Sequence, residues 1–393
     1  MKRQLQDNDR EKAKRNIATS RKYSKKRISF QGNGATIFER QTFKTIFGKP
    51  ILPVPTCFDI TETGLDDESA QFLANLEKLL IQHPHIYLSF ENTISIRLPM
   101  FLLIYAIQDK YQSKISVIWS KGSQESKFVN RMIRHSGFFH SIQVRTSALF
   151  DNNIKAIPVI SGSNQVFSDL SEDLLDAIKE KYYDGNMPAK VEAKISPAIV
   201  ETLENVGRHA YPNEPLDENK KWWLICSISH YIHDQNPCMY LAIYDTGRGI
   251  PLSIDDSKVF QNRVKTYYPD EYKALIQGYD DSGPQSKTQA VKGFINHVKS
   301  HYTSLGDSIG DSGLIYAAMM NDMTRINDKN HGQGSASIKD VITDDSDSKL
   351  IILSNKGCYQ YNKGHENEHT KLELQNELSG TLLQWSINLN ELT

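Results

Sequence analysis

Glu201, Asn205 and His209 recur at intervals of four in the segment ETLENVGRHAYPNEP. On a helix this spacing lays all three side chains along one face, so a carboxylate, an amide and an imidazole would line one wall. Further on, LAIYDTGRGIP puts Asp245 at the end of an apolar run with strand character and follows it with Gly247 and Gly249. Without a Cβ, such residues let the backbone pass close to a flat ligand, and a turn of this kind leaves room for a purine. The two segments read as the two halves of one ATP site.

Two further segments extend the pattern. HGQGSASIKDVI has Gly332 and Gly334 opening an apparent helix, where main-chain N–H groups can meet phosphate. SGTLLQWSI carries the pair Gly380 and Thr381. With these four boxes in this order, residues 190 to 390 resemble the GHKL superfamily, the ATPase fold shared by DNA gyrase, MutL mismatch-repair proteins, heat-shock chaperone ATPases and sensor histidine kinases.

The resemblance implies a role for each residue. Asn205 would offer its amide oxygen to Mg²⁺, a hard cation that prefers oxygen ligands and bridges phosphates. Glu201 would orient or deprotonate the attacking water. Arg208 falls where sensor kinases often place a phosphate-contacting cation, and His209 beside it either contacts the ligand or packs. Asp245 would accept the adenine amino hydrogen, Thr381 would support that contact through water, and Gly247, Gly249, Gly332 and Gly334 would shape the pocket. ATP and Mg²⁺ are the cofactors expected.

The elements needed to hold such a site are legible as well. WWLICSISHY (222 to 231) and CMYLAIYD (238 to 245) are apolar enough to be neighbouring antiparallel strands joined across HDQNP, and LIILSN, CYQY, KLELQ and TLLQWSI supply further strands. The fold class expected is α/β: over 190–393 a GHKL-type sandwich, with a mixed, mainly antiparallel sheet and helices on one face. SGLIYAAMMNDMTRINDKNHGQG resembles the family's lid, and about 252–312 reads as an insertion. The segment NKGHENEHTK contains an HExxH match, His365 to His369, but it lies in a polar stretch with no apolar helix face, so a hairpin loop is expected there and not a zinc site.

Upstream, residues 49–160 alternate strand-like and helical patterns. IYLSF (86 to 90) and ISVIW (115 to 119) read as buried strands, with LPMFLLIYAIQDKY and ESKFVNRMIRHSGFF as helices. The β-α-β-α order implies a small parallel or mixed sheet. It looks like the STAS-like regulatory domain found beside GHKL modules, although SIRLPMF stands where such domains often carry a phosphorylatable Ser. Pro158 and Gly162 mark a boundary near 160, and SEDLLDAIKEKYY gives a linker helix over 161–189.

With 46 Lys and Arg against 47 Asp and Glu in 393 residues, net charge singles out no class of partner. The charge is uneven, however. Residues 1–48 read as a basic arm, whose first thirty residues hold eleven Lys or Arg and three acids; such an arm would hold nucleic acid or an acidic partner by counterion release, or stay a solvated tail. Cys57, Cys226, Cys238 and Cys358 lack any CxxC spacing and read as reduced thiols of a cytoplasmic protein. No apolar run reaches the roughly 18 residues of a membrane span.

The function expected is a Mg-dependent ATPase working as a nucleotide-driven conformational switch in bacterial signalling or defence, with a protein partner and a homodimer as the associations to test. Two alternatives stay open: a protein kinase of the sensor or anti-sigma type acting in trans, and a non-catalytic, nucleotide-gated binding module.

Overall fold

The computed structural model describes residues 43–388 apart from 63–64, 155, 207–209, 212, 231–236, 254–308 (Pro269 excepted), 320–347 and 366. The basic arm, Arg208, His209, Gly332, Gly334, HDQNP up to Asn236 and most of the expected insertion and lid lie outside the described residues. Contacts divide the chain at Thr42/Phe43, and every described element belongs to the unit from Phe43 onward.

The elements in chain order are β1 (Thr45–Ile46), β2 (Lys49–Pro53), β3 (Cys57–Phe58), α1 (Asp66–Gln82), β4 (His85–Ser89), β5 (Ser95–Ile96), α2 (Met100–Tyr111), β6 (Lys114–Ile118), α3 (Gln124–Ser136), α4 (Ile142–Phe150), β7 (Ile160–Ser163), α5 (Phe167–Tyr183), α6 (Ala189–Asn205), β8 (Lys221–His230), β9 (Pro237–Asp245), α7 (Ile250–Ser253), β10 (Lys349–Asn362) and β11 (His369–Asn388). A helix over 309–319, here α8, precedes β10. The fold is α/β. The first sheet has the order β1-β2-β4-β6, parallel except for β1–β2, and the second has the antiparallel order β10-β11-β9-β8-β7. β3 and β5 form a short parallel pair.

The second sheet is buried on both faces. In β8, Trp222, Leu224 and Cys226 belong to one core while Trp223 and Ile225 belong to another; in β9, Leu241 and Ile243 alternate with Ala242 and Tyr244 in the same way. Successive strand side chains point to opposite faces, so these continuous apolar runs serve two cores. On one face lie α5 and α6, with Leu174, Ile178, Ile195 and Ile199. The other face takes the helices of the first half: Leu76 of α1 and Phe101 and Tyr105 of α2 share a core with Trp223 and Leu382. Met100 through Ala106 are buried without interruption, as a helix covered on all sides must be.

Two features differ from the expected organisation. The boundary foreseen near 160 falls in β7, which pairs with β8 as an edge strand of the second sheet, and the helix foreseen as a linker contributes Leu174 and Ile178 to the core. The four short strands foreseen after 348 are two long ones. NKG does not turn the chain: the β10–β11 register shifts at Ser354/Asn355 and at Asn355/Gly357, where residues 354–357 of β10 oppose residues 373–381 of β11, so the extra residues lie on β11; Asn355 has φ +54°.

Candidate nucleotide site

Helix α6 sits on the second sheet through an apolar stripe that includes Val191, Ile195, Ala198, Ile199 and Leu203. A polar stitch fixes it: Thr202 Oγ1 donates to the Ala198 carbonyl at 2.6 Å and accepts from Trp385 Nε1 of β11 at 3.3 Å. Glu201, beside Thr202, is 5% exposed. Asn205 is the last residue of α6.

Asp245 ends β9. Ile243 faces the α6 core, so two residues on the Asp245 carboxylate projects from the same face of the sheet. Thr381 of β11 stands directly opposite Asp245 on one side and Trp222 of β8 on the other. The carboxylate is 4% exposed. Its Oδ1 accepts from the Gly247 N–H at 2.8 Å, and the main-chain N–H of Thr381 also bonds it. Burial outweighs both bonds and raises its pKa from an ordinary 3.8 to about 7. An ionised carboxylate has about four acceptor positions, so capacity remains for an exocyclic amine.

The segment after α6 is closed onto the turn after β9. The Arg248 N–H donates to the Ala210 carbonyl at 2.9 Å. Tyr211 Oη donates to the Lys221 carbonyl at 2.6 Å, accepts from the Thr246 N–H at 3.1 Å and lies 3.2 Å from Thr246 Oγ1. The structure thus joins the segment after α6 to the turn after β9, through main chain and a tyrosine hydroxyl.

The described glycines of these segments sit at close approaches within the chain. A Cβ on Gly247 would overlap the Ala210 carbonyl and side chain, one on Gly249 would meet Asn355 and Ser354, and one on Gly380 would overlap the Asp245 carbonyl oxygen. Gly249 and Gly380 also adopt φ of +88° and +85°, where a Cβ is disfavoured. Their missing side chains make room for neighbouring segments of this chain.

Ser354 joins the parts from below. Its Oγ donates to the Gly380 carbonyl at 2.9 Å, accepts from the Ile250 N–H at 2.9 Å and lies 3.1 Å from Thr381 Oγ1. Ser354 and Tyr211 carry no signature in the sequence; each is a lone hydroxyl residue at the end of an apolar or turn segment. Only the register shift at Asn355 and the bend after α6 give them their roles.

The HExxH match is a turn. His365 lies within the β10–β11 connection, and His369 opens β11 with its Nδ1 2.9 Å from Tyr359 Oη. The two imidazoles are not on one helix, which the zinc-protease geometry requires. Among the described residues no group of three or more His, Cys, Asp or Glu is placed to hold a metal ion, and no helix is long and apolar enough to cross a membrane.

Comparison with protein-family models, with curated proteins and with solved structures finds no match to this chain.

Proposed function

We propose that the chain binds ATP with Mg²⁺ at the site built from α6, the turn after β9 and the Gly380–Thr381 segment, and that it acts as a nucleotide-driven conformational switch that hydrolyses ATP. The observation that carries this reading is the buried Asp245 carboxylate, opposite Thr381 in register and on the α6 face of the sheet, with acceptor capacity left after its bond to Gly247. A buried acceptor of this kind discriminates adenine, which offers an amine donor, from guanine, which offers a carbonyl at that position.

In this reading Asp245 accepts from the adenine amine through its carboxylate oxygens, and the N–H groups of Gly247 and Thr381 hold that carboxylate in place. Asn205, at the end of α6, is the oxygen donor for the cation, and Mg²⁺ when bound neutralises phosphate charge. Glu201, one helical turn before Asn205, takes a proton at its carboxylate as the general base for water. Binding at the seam between the segment after α6 and the turn after β9 would favour the closed arrangement fixed by Ala210 and Arg248, which is the switch.

Incubation of the full chain with Mg²⁺ and γ-labelled ATP tests the reading. Free labelled phosphate at a rate that Glu201→Ala suppresses is expected. Transfer of label to a second protein would favour a kinase, and nucleotide binding with no release of phosphate would leave a passive switch. Absence of ATP binding by calorimetry would remove the assignment.

A further inference from the structure

β6 is the edge strand of the first sheet among the described residues. Its register fixes which main-chain groups are used. The Lys114 N–H donates to the Pro84 carbonyl and the Ile118 carbonyl accepts from Phe90, so Lys114, Ser116 and Ile118 face β4. The N–H and C=O groups of Ile115 and Val117 therefore point away from the sheet. They open onto a groove of about 790 Å³ whose far wall is the segment Phe138–Val144, a volume within the usual range of about 300 to 1,000 Å³ for ligand sites.

The far wall is apolar and exposed. Phe138, Ile142 and Val144 are 40%, 39% and 48% accessible. Gly137, Phe138 and Phe139 have φ of +106°, +55° and +56° in succession, a conformation that bulky residues rarely adopt. Phe139 turns inward, its N–H donating to Tyr105 Oη at 2.7 Å, while Phe138 is turned outward to meet Trp119 edge-on, with centroids 5.8 Å apart. The backbone thus holds an aromatic ring out at the mouth of the groove, at the end of the open strand.

The charges choose the occupant. Lys114 on the strand is exposed, and the Arg134 guanidinium lies over the Trp119 ring at 5.5 Å. Among the described residues the one acid lining the groove is Asp109, already bound to Arg145, Ser161 and Trp223. A second copy of this chain paired edge to edge would bring the same cations together, which lysine on an edge strand disfavours. We propose that the β6 edge takes up an acidic, extended peptide segment of a partner protein as an added strand, with alternate apolar side chains against Phe138, Ile142 and Val144.

The probe is a fluorescent synthetic peptide of about nine residues alternating Glu with Val or Phe, titrated by anisotropy against the full chain without nucleotide, so that the result is independent of the ATP reading. Saturable binding is expected, weaker by at least about tenfold when Lys replaces Glu or when Lys114→Glu or Val144→Asp replaces the surface side chains, each variant being checked for an unchanged melting temperature. Of two peptides N-methylated at odd or at even positions, one should lose binding and the other keep it, since a single edge of an added strand faces β6. No saturable binding, equal binding of acidic and basic peptides, or indifference to both methylation patterns would overturn the proposal. So would a dimer, seen by light scattering, that Lys114→Glu dissociates, since a second copy would then occupy the edge.

Discussion

Asp109 and Trp223 stand 114 positions apart in sequence, yet the indole Nε1 donates to the Asp109 Oδ2 at 2.8 Å. The same oxygen accepts from Arg145 Nη2 at 2.7 Å and from Ser161 Oγ at 2.8 Å. α2, α4, β7 and β8 thus meet at one carboxylate, and the guanidinium lies over the Tyr105 ring at 4.3 Å. The Arg145 and Asp109 side chains are 1% and 7% exposed. Asp109→Ala would leave a buried, uncompensated guanidinium. The expected loss is about 3 to 5 kcal/mol, read as a shift in urea midpoint, and Asp109→Ala/Arg145→Met should recover part of it.

Asp245→Asn replaces part of the acceptor with a donor facing another donor. ATP affinity should fall by about ten- to a hundredfold, since an unpaired buried polar group costs about 1 to 3 kcal/mol. Glu201→Ala should keep affinity within a few-fold while phosphate release drops by about 10² or more. Calorimetry and phosphate-release assays on both variants separate binding from chemistry, and normal ATP binding by Asp245→Asn would sink the site assignment.

The raised pKa of Asp245, about 7 against an ordinary 3.8, gives a signed pH dependence. Between about pH 4 and 7 the folded chain retains a proton that the unfolded chain has released, so this group's contribution to stability falls as pH rises through that window and is level above it. The proposed adenine recognition would run the other way, because it needs the ionised acceptor. ATP affinity should rise by about tenfold from pH 6 to pH 8. Subtracting the pH profile of Asp245→Asn removes the titration of ATP itself, and an identical profile in both proteins would refute the role.

Gly247→Ala tests whether closure of the two segments matters. Its Cβ would overlap Ala210, so the Arg248–Ala210 bond must lengthen or break. Nucleotide affinity should drop by about tenfold or more although the new methyl replaces no group proposed to touch ATP. Hydrogen exchange at the Arg248 amide should quicken in parallel; slow exchange with unchanged affinity would count against the closure.

His365→Ala should leave nucleotide binding unchanged, because His365 lies in the β10–β11 turn, away from the Asp245 strand end. Elemental analysis of the purified protein is expected to find no stoichiometric zinc, and one zinc per chain would contradict the turn assignment.

Much of the architecture was legible because its signals are periodic. IYLSF and ISVIW lie within a residue of β4 and β6, and the apolar runs of β8 and β9 match strands closely. Other features were not, for local reasons. LIILSN, CYQY, KLELQ and TLLQWSI read as four separate strands, but an Asn at φ +54° can end a strand or interrupt it, and the difference lies in pairing with Leu378 across the sheet. The boundary read at Pro158 and Gly162 hid β7 (Ile160–Ser163), because an edge strand needs only one buried neighbour. At the site, Asp245 and Thr381 had a motif to announce them, whereas Ser354 acts through a single hydroxyl whose three contacts come from distant segments. The glycines were recognisable as close-approach residues, but the sequence does not say what approaches.

Among the described residues the second sheet has no free face, since Trp222 and Trp223 anchor separate cores back to back. Cutting the chain near 160 or 190 would therefore not release two independent pieces: the N-terminal piece would carry away the α1 and α2 covering and leave the Trp223 face of the sheet bare. Melting from Phe43 onward should be a single event, and a proteolytic nick that loosens α2 should be felt at the strand that ends in Asp245.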